Sequence, residues 1–236
     1  MFGNMLLNQF HAMGADVRLA VVGDRFQIGI NQGRFGETFQ VRLPNDGSVT
    51  AKVLDADRRG RHLLLDVSHR NFGANQKYLC GHDEFHWFVA ALPETPDVGT
   101  VSEAMEALKP RAVRRAQERH GLKRKQRRKR RTRAYVRQGE WFFLPSPEFD
   151  PVNLVVAQRG KLVRGAGKPH HVQQLCRGRD GRTYVRGKVS HPDHATIRLE
   201  IWHLVSRNTE ATPKDLADSR RSKARDRGLF DMTYLD

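Results

Sequence analysis

Residues 37–54 read ETFQVRLPNDGSVTAKVL, two short runs of strand-forming residues separated by a turn. Asn45-Asp46-Gly47 is typical of a hairpin turn, so this stretch predicts a pair of β-strands. The same alternation of short runs and turn residues continues on both sides. It predicts seven strands in the first part of the chain, which are Val17–Val22, Phe26–Ile30, Glu37–Leu43, Ser48–Leu54, His62–Val67, Gln76–Cys80 and His86–Leu92.

Helices are predicted at three places. Residues 2–12 have apolar side chains at a spacing of four, which favours a short amphipathic helix. Thr100 and Glu103 match a capping box at the start of a second helix. Pro110 favours the start of a third helix. The N–H groups of a first helical turn have no partner within the helix, so the N–H that proline lacks is not needed there.

Strand character returns after residue 133, and Asp180-Gly181 is a further hairpin signal. The predicted strands there are Ala134–Val136, Trp141–Leu144, Val152–Ala157, Lys161–Val163, Val172–Leu175, Thr183–Val189 and Thr196–Val205. We therefore expect an α+β, mainly β protein with two β-rich parts, each an antiparallel sheet, a barrel or a sandwich, joined by a helical, arginine-rich connector. The predicted divisions are 1–98 for the first β-rich domain, 99–133 for the connector, 134–210 for a basic β-rich domain and 211–236 for a polar tail.

Positive charge is concentrated in the middle of the chain. The chain has 42 Lys and Arg against 26 Asp and Glu, a net charge of +16. Residues 1–108 contribute −3, residues 109–133 contribute +13 and residues 134–236 contribute +6. A basic excess this localised is typical of a protein that binds a polyanion.

The basic segment, residues 111–133, has 13 cations in 23 positions and few apolar residues. Its last part, Lys123–Arg133, is almost entirely basic and repels itself, so we expect these residues to be disordered, or to become helical only when a partner neutralises them. Nucleic acid is the expected partner, with RNA slightly preferred over DNA, because strand-rich folds and arginine-rich arms are common among RNA binders. The predicted phosphate contacts are Arg114, Arg115, Lys123, Arg124, Lys125, Arg127, Arg128, Lys129, Arg130, Arg131 and Arg133, supported by Arg164 and Lys168. A targeting address, an anionic membrane contact and a solvated linker are the other interpretations of the segment.

Histidines in the second half suggest a different class of function. His191, Asp193, His194 and His203 are the candidate catalytic residues, and His170 and His171, just before a predicted strand, are further imidazoles that could converge with them on a metal. Neutral imidazoles are common zinc ligands, and a bound divalent metal, zinc or magnesium, activates water for attack on a phosphodiester. A metal-dependent nuclease or phosphodiesterase is therefore an alternative. The spacing matches no complete metal motif, and polar-sheet histidines that hydrogen-bond or touch phosphate are the plainer interpretation.

A second candidate metal site lies within residues 80–86. Cys80, His82 and His86 supply a thiolate and two imidazoles, which suits zinc. A polar turn, with Cys80 buried in the core, is the simpler alternative. No complete phosphate-loop, RNA-recognition, KH, zinc-finger or helix-turn-helix signature is present.

Aromatic residues near the basic segment are candidates for base stacking. Tyr135, Trp141, Phe142 and Tyr184 lie just beyond it or among basic residues. A structural role in a ribonucleoprotein complex, with the segment threaded through RNA, is a further alternative. No apolar run approaches the ~20 residues needed to span a bilayer, so we expect a cytoplasmic or nucleoid-associated protein without a membrane partner. The sequence carries no signal for the oligomeric state.

Overall fold

The computed structural model describes residues 2–34, 36–70, 74–93, 97–164, 167–211 and 230–231. The chain is mainly β and forms two compact units. The first unit contains Met1–Leu108 and Thr209–Asp236, and the second, which we call the basic unit, is Lys109–Asn208. Among the described strands, none of the sheets closes into a barrel.

The first unit contains two helices and eight described strands. They are α1 (Phe2–Ala12), β1 (Asp16–Val21), β2 (Phe26–Gly33), β3 (Gly36–Leu43), β4 (Val49–Asp57), β5 (His62–His69), β6 (Ala74–Asp83), β7 (His86–Ala91), α2 (Val101–Ala107) and β14 (Phe230–Asp231). All seven strands predicted from the sequence are present. So are the helix over residues 2–12 and the capping box, in which Thr100 and Glu103 each accept the other's backbone N–H.

Two four-stranded sheets make up the first unit, in the orders β1-β3-β2-β14 and β4-β5-β6-β7. One buried cluster draws on both sheets and on α1, with Phe10, Phe39, Leu63 and Tyr78 all fully buried. Helix α2 covers the other face of the second sheet, packing around Leu64. The burial of these apolar side chains is the main stabilising term.

Two features of the first unit differ from what the sequence patterns indicated. Strand β1 pairs in parallel with β3, with Val17 opposite Phe39, so the purely antiparallel sheet, one of the three expected arrangements, is not what the first unit forms. The Asn45-Asp46-Gly47 turn does not close a hairpin, because β3 and β4 belong to different sheets. The turn residues are correct, with Gly47 at φ +64 and the side chain of Asp46 accepting the N–H of Ser48, but the turn leads from one sheet to the other.

The basic unit contains two helices followed by one open sheet. The elements are α3 (Arg111–Arg119), α4 (Arg124–Arg127), β8 (Val136–Gln138), β9 (Trp141–Pro145), β10 (Val156–Leu162), β11 (His170–Arg177), β12 (Thr183–His191) and β13 (His194–Arg207). The strand order is β10-β11-β12-β13-β9-β8, and every neighbouring pair is antiparallel. The Asp180-Gly181 hairpin joins β11 to β12 as predicted, whereas the two strands predicted over Val152–Ala157 and Lys161–Val163 are one strand, β10, which begins at Val156.

Both faces of β9 are buried. Trp141 and Phe143 pack into a cluster with residues of β8 and β10–β13, while Phe142 faces the opposite side of the strand. On that side it packs against Tyr135 and against Val113 of α3. Alternate side chains of a strand point to opposite faces, so β9 joins two separate cores.

A separate helical, arginine-rich connector is not observed. Residues 99–108 belong to the first unit, and residues 109–133 belong to the basic unit. Leu122 and Ala134, on either side of the most basic stretch, are buried in the cluster under α3. The predicted tail lies largely outside the described residues, except that β14 pairs in parallel with β2.

Candidate functional site

Nearly all of the excess positive charge lies in the basic unit. Its 100 residues include 26 Lys and Arg and 7 Asp and Glu, a net charge of +19, whereas the first unit carries −3. The acidic groups are too few to neutralise the cations. Within the basic segment itself, Glu118 is the one acidic residue.

The basic segment is folded around the side chain of Tyr135. The Tyr135 hydroxyl lies 2.6 Å from the carbonyl oxygen of Arg127 and 3.1 Å from that of Lys129, and the ring is buried. The ammonium group of Lys109, itself buried, donates to the same Arg127 carbonyl at 2.8 Å. The expectation of disorder is therefore wrong, because carbonyl groups of this polar stretch accept hydrogen bonds from two buried side chains.

Side chains of the same segment return to its backbone. The guanidinium of Arg127 donates to the carbonyl oxygen of Leu122 at 2.8 Å, and that of Arg133 donates to the carbonyl oxygen of His120. Arg131 reaches the carbonyl oxygen of Arg198 on β13 at 3.3 Å. The first two contacts lie within the segment, and the third joins the segment to the sheet.

Most of the predicted phosphate contacts point to solvent. The exposed ones in the segment are Arg114, Arg115, Lys123, Arg124, Lys125, Arg128, Lys129, Arg131 and Arg133, whereas Arg127 and Arg130 are half-buried. Outside the segment, Lys168 is exposed and lies 3.2 Å from a carboxylate oxygen of Asp193, and Arg164 is half-buried. The fold thus presents a dense group of exposed cations from an ordered backbone.

The aromatic residues considered for base stacking are not available to bases. Tyr135, Trp141, Phe142 and Tyr184 are each at most 9% exposed. Tyr184 stacks on Phe149 with ring centroids 3.7 Å apart, and Phe142 packs edge-on to Tyr135 at 5.4 Å. Their apolar surface is used for the cores of the basic unit.

Three histidines converge at one end of β11–β13. His191 and His194 are opposite each other and close the β12–β13 hairpin, while His170 begins β11 beside His171, which pairs with Ser190. The imidazole centroids are 4.1 Å apart for His170–His191, 4.9 Å for His191–His194 and 5.5 Å for His170–His194. A row of rings on three neighbouring strands, spaced ~4.8 Å apart, would separate the outer two rings by about 10 Å. The observed distances are all much shorter than this, so the three rings form a triangle.

His170 is the buried member of this triangle, which we call the histidine cluster. It is 1% exposed, and neither ring nitrogen has a hydrogen-bond partner among the described residues. Burial, with His191 and His194 as neighbours, lowers the pKa of His170 to about 3. The ring is therefore neutral near pH 7, the form in which an imidazole nitrogen binds a metal.

His191 is oriented by hydrogen bonds from the adjoining loop and turn. Its Nε2 lies 3.1 Å from the carbonyl oxygen of Lys168, and its Nδ1 accepts the backbone N–H of Asp193 at 3.1 Å. These partners assign the proton to Nε2 and the lone pair to Nδ1. A carboxylate oxygen of Asp193 lies 3.9 Å from the same Nδ1.

Gly139, in the β8–β9 turn, closes over the cluster. Its φ is +55, and a Cβ atom added there would lie 2.6 Å from Nε2 of His194 and 3.4 Å from Nε2 of His170. A glycine at this position leaves space beside the two nitrogens. It also adopts the left-handed conformation without the cost that a side chain brings.

His203 does not belong to the cluster, which corrects its place among the candidate catalytic residues. It lies on β13 opposite Val185 and Pro145, is 6% exposed, and its Nδ1 lies 2.8 Å from the carbonyl oxygen of Ile201. Burial and the nearby charge of Arg131 lower the pKa of His203. The cluster instead includes His170, which the candidate catalytic set omitted.

Cys80, His82 and His86 are not brought together as metal ligands. Cys80 is fully buried in the first core, and burial raises the pKa of its thiol. His82 packs edge-on to Trp87, while His86 pairs with Glu37 at 2.8 Å. Within the described part of the chain, His170, His191 and His194 form the one group of three potential ligands whose donor atoms all lie within 4.8 Å of one another.

No described helix is both long enough and apolar enough to cross a membrane. Comparisons of the chain with protein families, curated proteins and solved structures gave no match.

Proposed function

We propose that the protein binds nucleic acid through its basic unit, mainly by contacts to the phosphate backbone. The observation that carries this proposal is the net charge of +19 on 100 residues, with eleven exposed cations of the basic segment fixed to an ordered backbone, which are the nine predicted contacts together with Arg111 and Arg119. Because the segment is already ordered before it binds, it loses less conformational entropy on binding. A structural subunit of a ribonucleoprotein complex would use the same surface to bind RNA, without catalysing a reaction.

Backbone contacts, and not base stacking, are the basis of this binding. No Phe, Tyr or Trp side chain among the described residues of the basic unit is exposed, so the stacking platforms of single-strand binders have no counterpart there. Arginine side chains contact phosphate through paired N–H groups, and such contacts carry little sequence information. We therefore propose sequence-tolerant binding, with RNA preferred over DNA on the ground of the strand-rich design alone.

The experiment is binding of the full chain to labelled single- and double-stranded RNA and DNA over a range of salt concentrations. Each phosphate neutralised by a cation contributes about 0.7–0.9 to the slope of log affinity against log salt. We expect slopes of about 4 or more, similar affinity for unrelated sequences and tighter binding to RNA. Weak binding that does not vary with salt would contradict the proposal.

The histidine cluster favours one second candidate, a metal-dependent phosphodiesterase. Hydrolysis there would need a bound divalent metal to activate water. The geometry supports this candidate less well, because His170 is 1% exposed and the side chain of His191 is 8% exposed, which leaves little room for a polymeric phosphate. Shortening of the labelled strands that is abolished by chelator would favour hydrolysis over binding.

A further inference from the structure

We propose that His170, His191 and His194 bind a divalent transition metal of the zinc class, which joins the ends of β11, β12 and β13. This inference goes beyond nucleic-acid binding and does not depend on it. It is carried by the convergence of three imidazoles from three strands and by a buried imidazole that has no hydrogen-bond partner among the described residues.

The ring nitrogens of His170 are buried, so a hydrogen-bond partner or a metal would stabilise each of them. A polar group buried without a hydrogen bond costs about 1–3 kcal/mol, so such groups are rare unless something satisfies them. In His170 both ring nitrogens are in this position at 1% exposure. Nε2 faces the space beside Gly139, and Nε2 of His194 faces the same space. A metal held between these two nitrogens would supply the missing partner for Nε2 of His170.

His191 is set up as the third ligand. Its Nε2–H donates to the carbonyl oxygen of Lys168, and this is the kind of outer contact that fixes the orientation of a metal-binding imidazole. Nδ1 keeps the lone pair, and a metal would replace the backbone N–H of Asp193 that it now accepts. The carboxylate of Asp193 lies beside this nitrogen and is in turn held by Lys168.

The ligand type selects the metal. Imidazole nitrogens suit zinc, cobalt, nickel and copper, whereas magnesium requires oxygen ligands, so the expectation of magnesium does not fit this cluster. Tetrahedral zinc at ~2.0–2.1 Å from each nitrogen places the nitrogens about 3.3 Å apart. One ring nitrogen from each of the three histidines already lies within 4.8 Å of the other two, so rotation of the rings about their side-chain torsions closes the site.

Zinc titration of the chelator-treated full chain tests the proposal, with His170→Leu and His171→Leu as a matched pair. His171 is the exposed neighbour on the same strand, so its replacement leaves the cluster intact. We expect calorimetry to show stoichiometric zinc binding to the wild type and to His171→Leu, and at least a tenfold loss in His170→Leu. Cobalt should give the visible spectrum of a tetrahedral site in the same two proteins.

Either of two results would overturn the inference. One is the absence of stoichiometric zinc binding in the wild type, and the other is unchanged binding in His170→Leu, which would place the zinc on surface histidines. Without metal, His170→Leu should be at least as stable as the wild type, because it removes a buried polar group for which the described part of the chain offers no hydrogen-bond partner.

Gly139→Ala gives a second test that leaves every ligand in place. The added Cβ would fill the space beside His194 and His170, and the positive φ adds strain. Gly181→Ala is its control, since Gly181 has φ +73 in the β11–β12 turn and no atom within 4 Å of its added Cβ. We expect both variants to lose stability through the positive φ, but only Gly139→Ala to lose zinc affinity. Equal zinc affinity in the two would contradict the position of the site.

Discussion

The hydroxyl of Tyr135 donates to the carbonyl oxygen of Arg127 across 2.6 Å. This hydrogen bond ties the most basic stretch of the chain to a buried aromatic ring, and Lys109 donates to the same carbonyl. Repulsion among cations would otherwise separate the segment from the sheet. The buried donors Tyr135 and Lys109 offset this repulsion, and the exposed cations are held in fixed positions.

Tyr135→Phe should therefore loosen the basic segment without changing its charge. Removing a buried hydroxyl that two carbonyl groups share costs about 1–3 kcal/mol. We expect a lower melting temperature and a several-fold loss of nucleic-acid affinity, because the cations are no longer held in place. Tyr184→Phe is the control, since its hydroxyl bonds to Asp180 in the β11–β12 turn. Equal affinities in the two variants would show that Tyr135 does not position the segment.

Phe142→Ala separates a packing role from a stacking role. Phe142 is 3% exposed and packs between β9 and α3, so its truncation should destabilise the protein by about 3–5 kcal/mol. The measurement is denaturant unfolding together with nucleic-acid binding under conditions where the variant stays folded. If stability were unchanged while affinity fell, Phe142 would be a base-stacking residue after all.

His203 predicts a loss of stability in mild acid. Its pKa in the folded chain lies below 6.5 because the ring is buried and Arg131 is nearby, so below that pH the unfolded chain takes up the proton more readily. The contribution of neutral His203 to the free energy of unfolding is complete above about pH 6.5 and declines as the pH falls below that value. His203→Gln should show a smaller fall in melting temperature from about pH 8 to about pH 5. An identical fall in both proteins would be evidence against this assignment.

Local patterns were sufficient to predict the strands of the first unit but not their partners. The seven strands follow from short runs and turn residues, which depend on neighbours in sequence. The parallel pairing of Val17 with Phe39 depends on residues far apart in the chain, and the Asn45-Asp46-Gly47 turn has the same residues whether it closes a hairpin or links two sheets. The turn residues therefore predict where the chain turns but not whether the turn closes a hairpin or links two sheets.

The order of the basic segment and the composition of the histidine cluster also depend on distant contacts. Few apolar residues lie within Lys123–Arg133, so composition predicted disorder, yet Tyr135 and Lys109 bind its carbonyl groups. His191 and His194 could be paired from their two-residue turn. His170 joins them only through the register of β11 against β12, for which the one sequence signal was a pair of histidines just before the predicted strand Val172–Leu175.

The most direct test of nucleic-acid binding by the basic segment is the salt dependence of RNA affinity in two charge-matched triple variants. One replaces Arg124, Lys125 and Arg128 with Gln, and the other replaces Arg58, Arg59 and Arg70, which are equally exposed but lie in the first unit. We expect the first variant to lose about 2–3 from the slope of log affinity against log salt and the second to keep the wild-type slope. An unchanged slope in the first variant, or equal losses in both, would contradict the account.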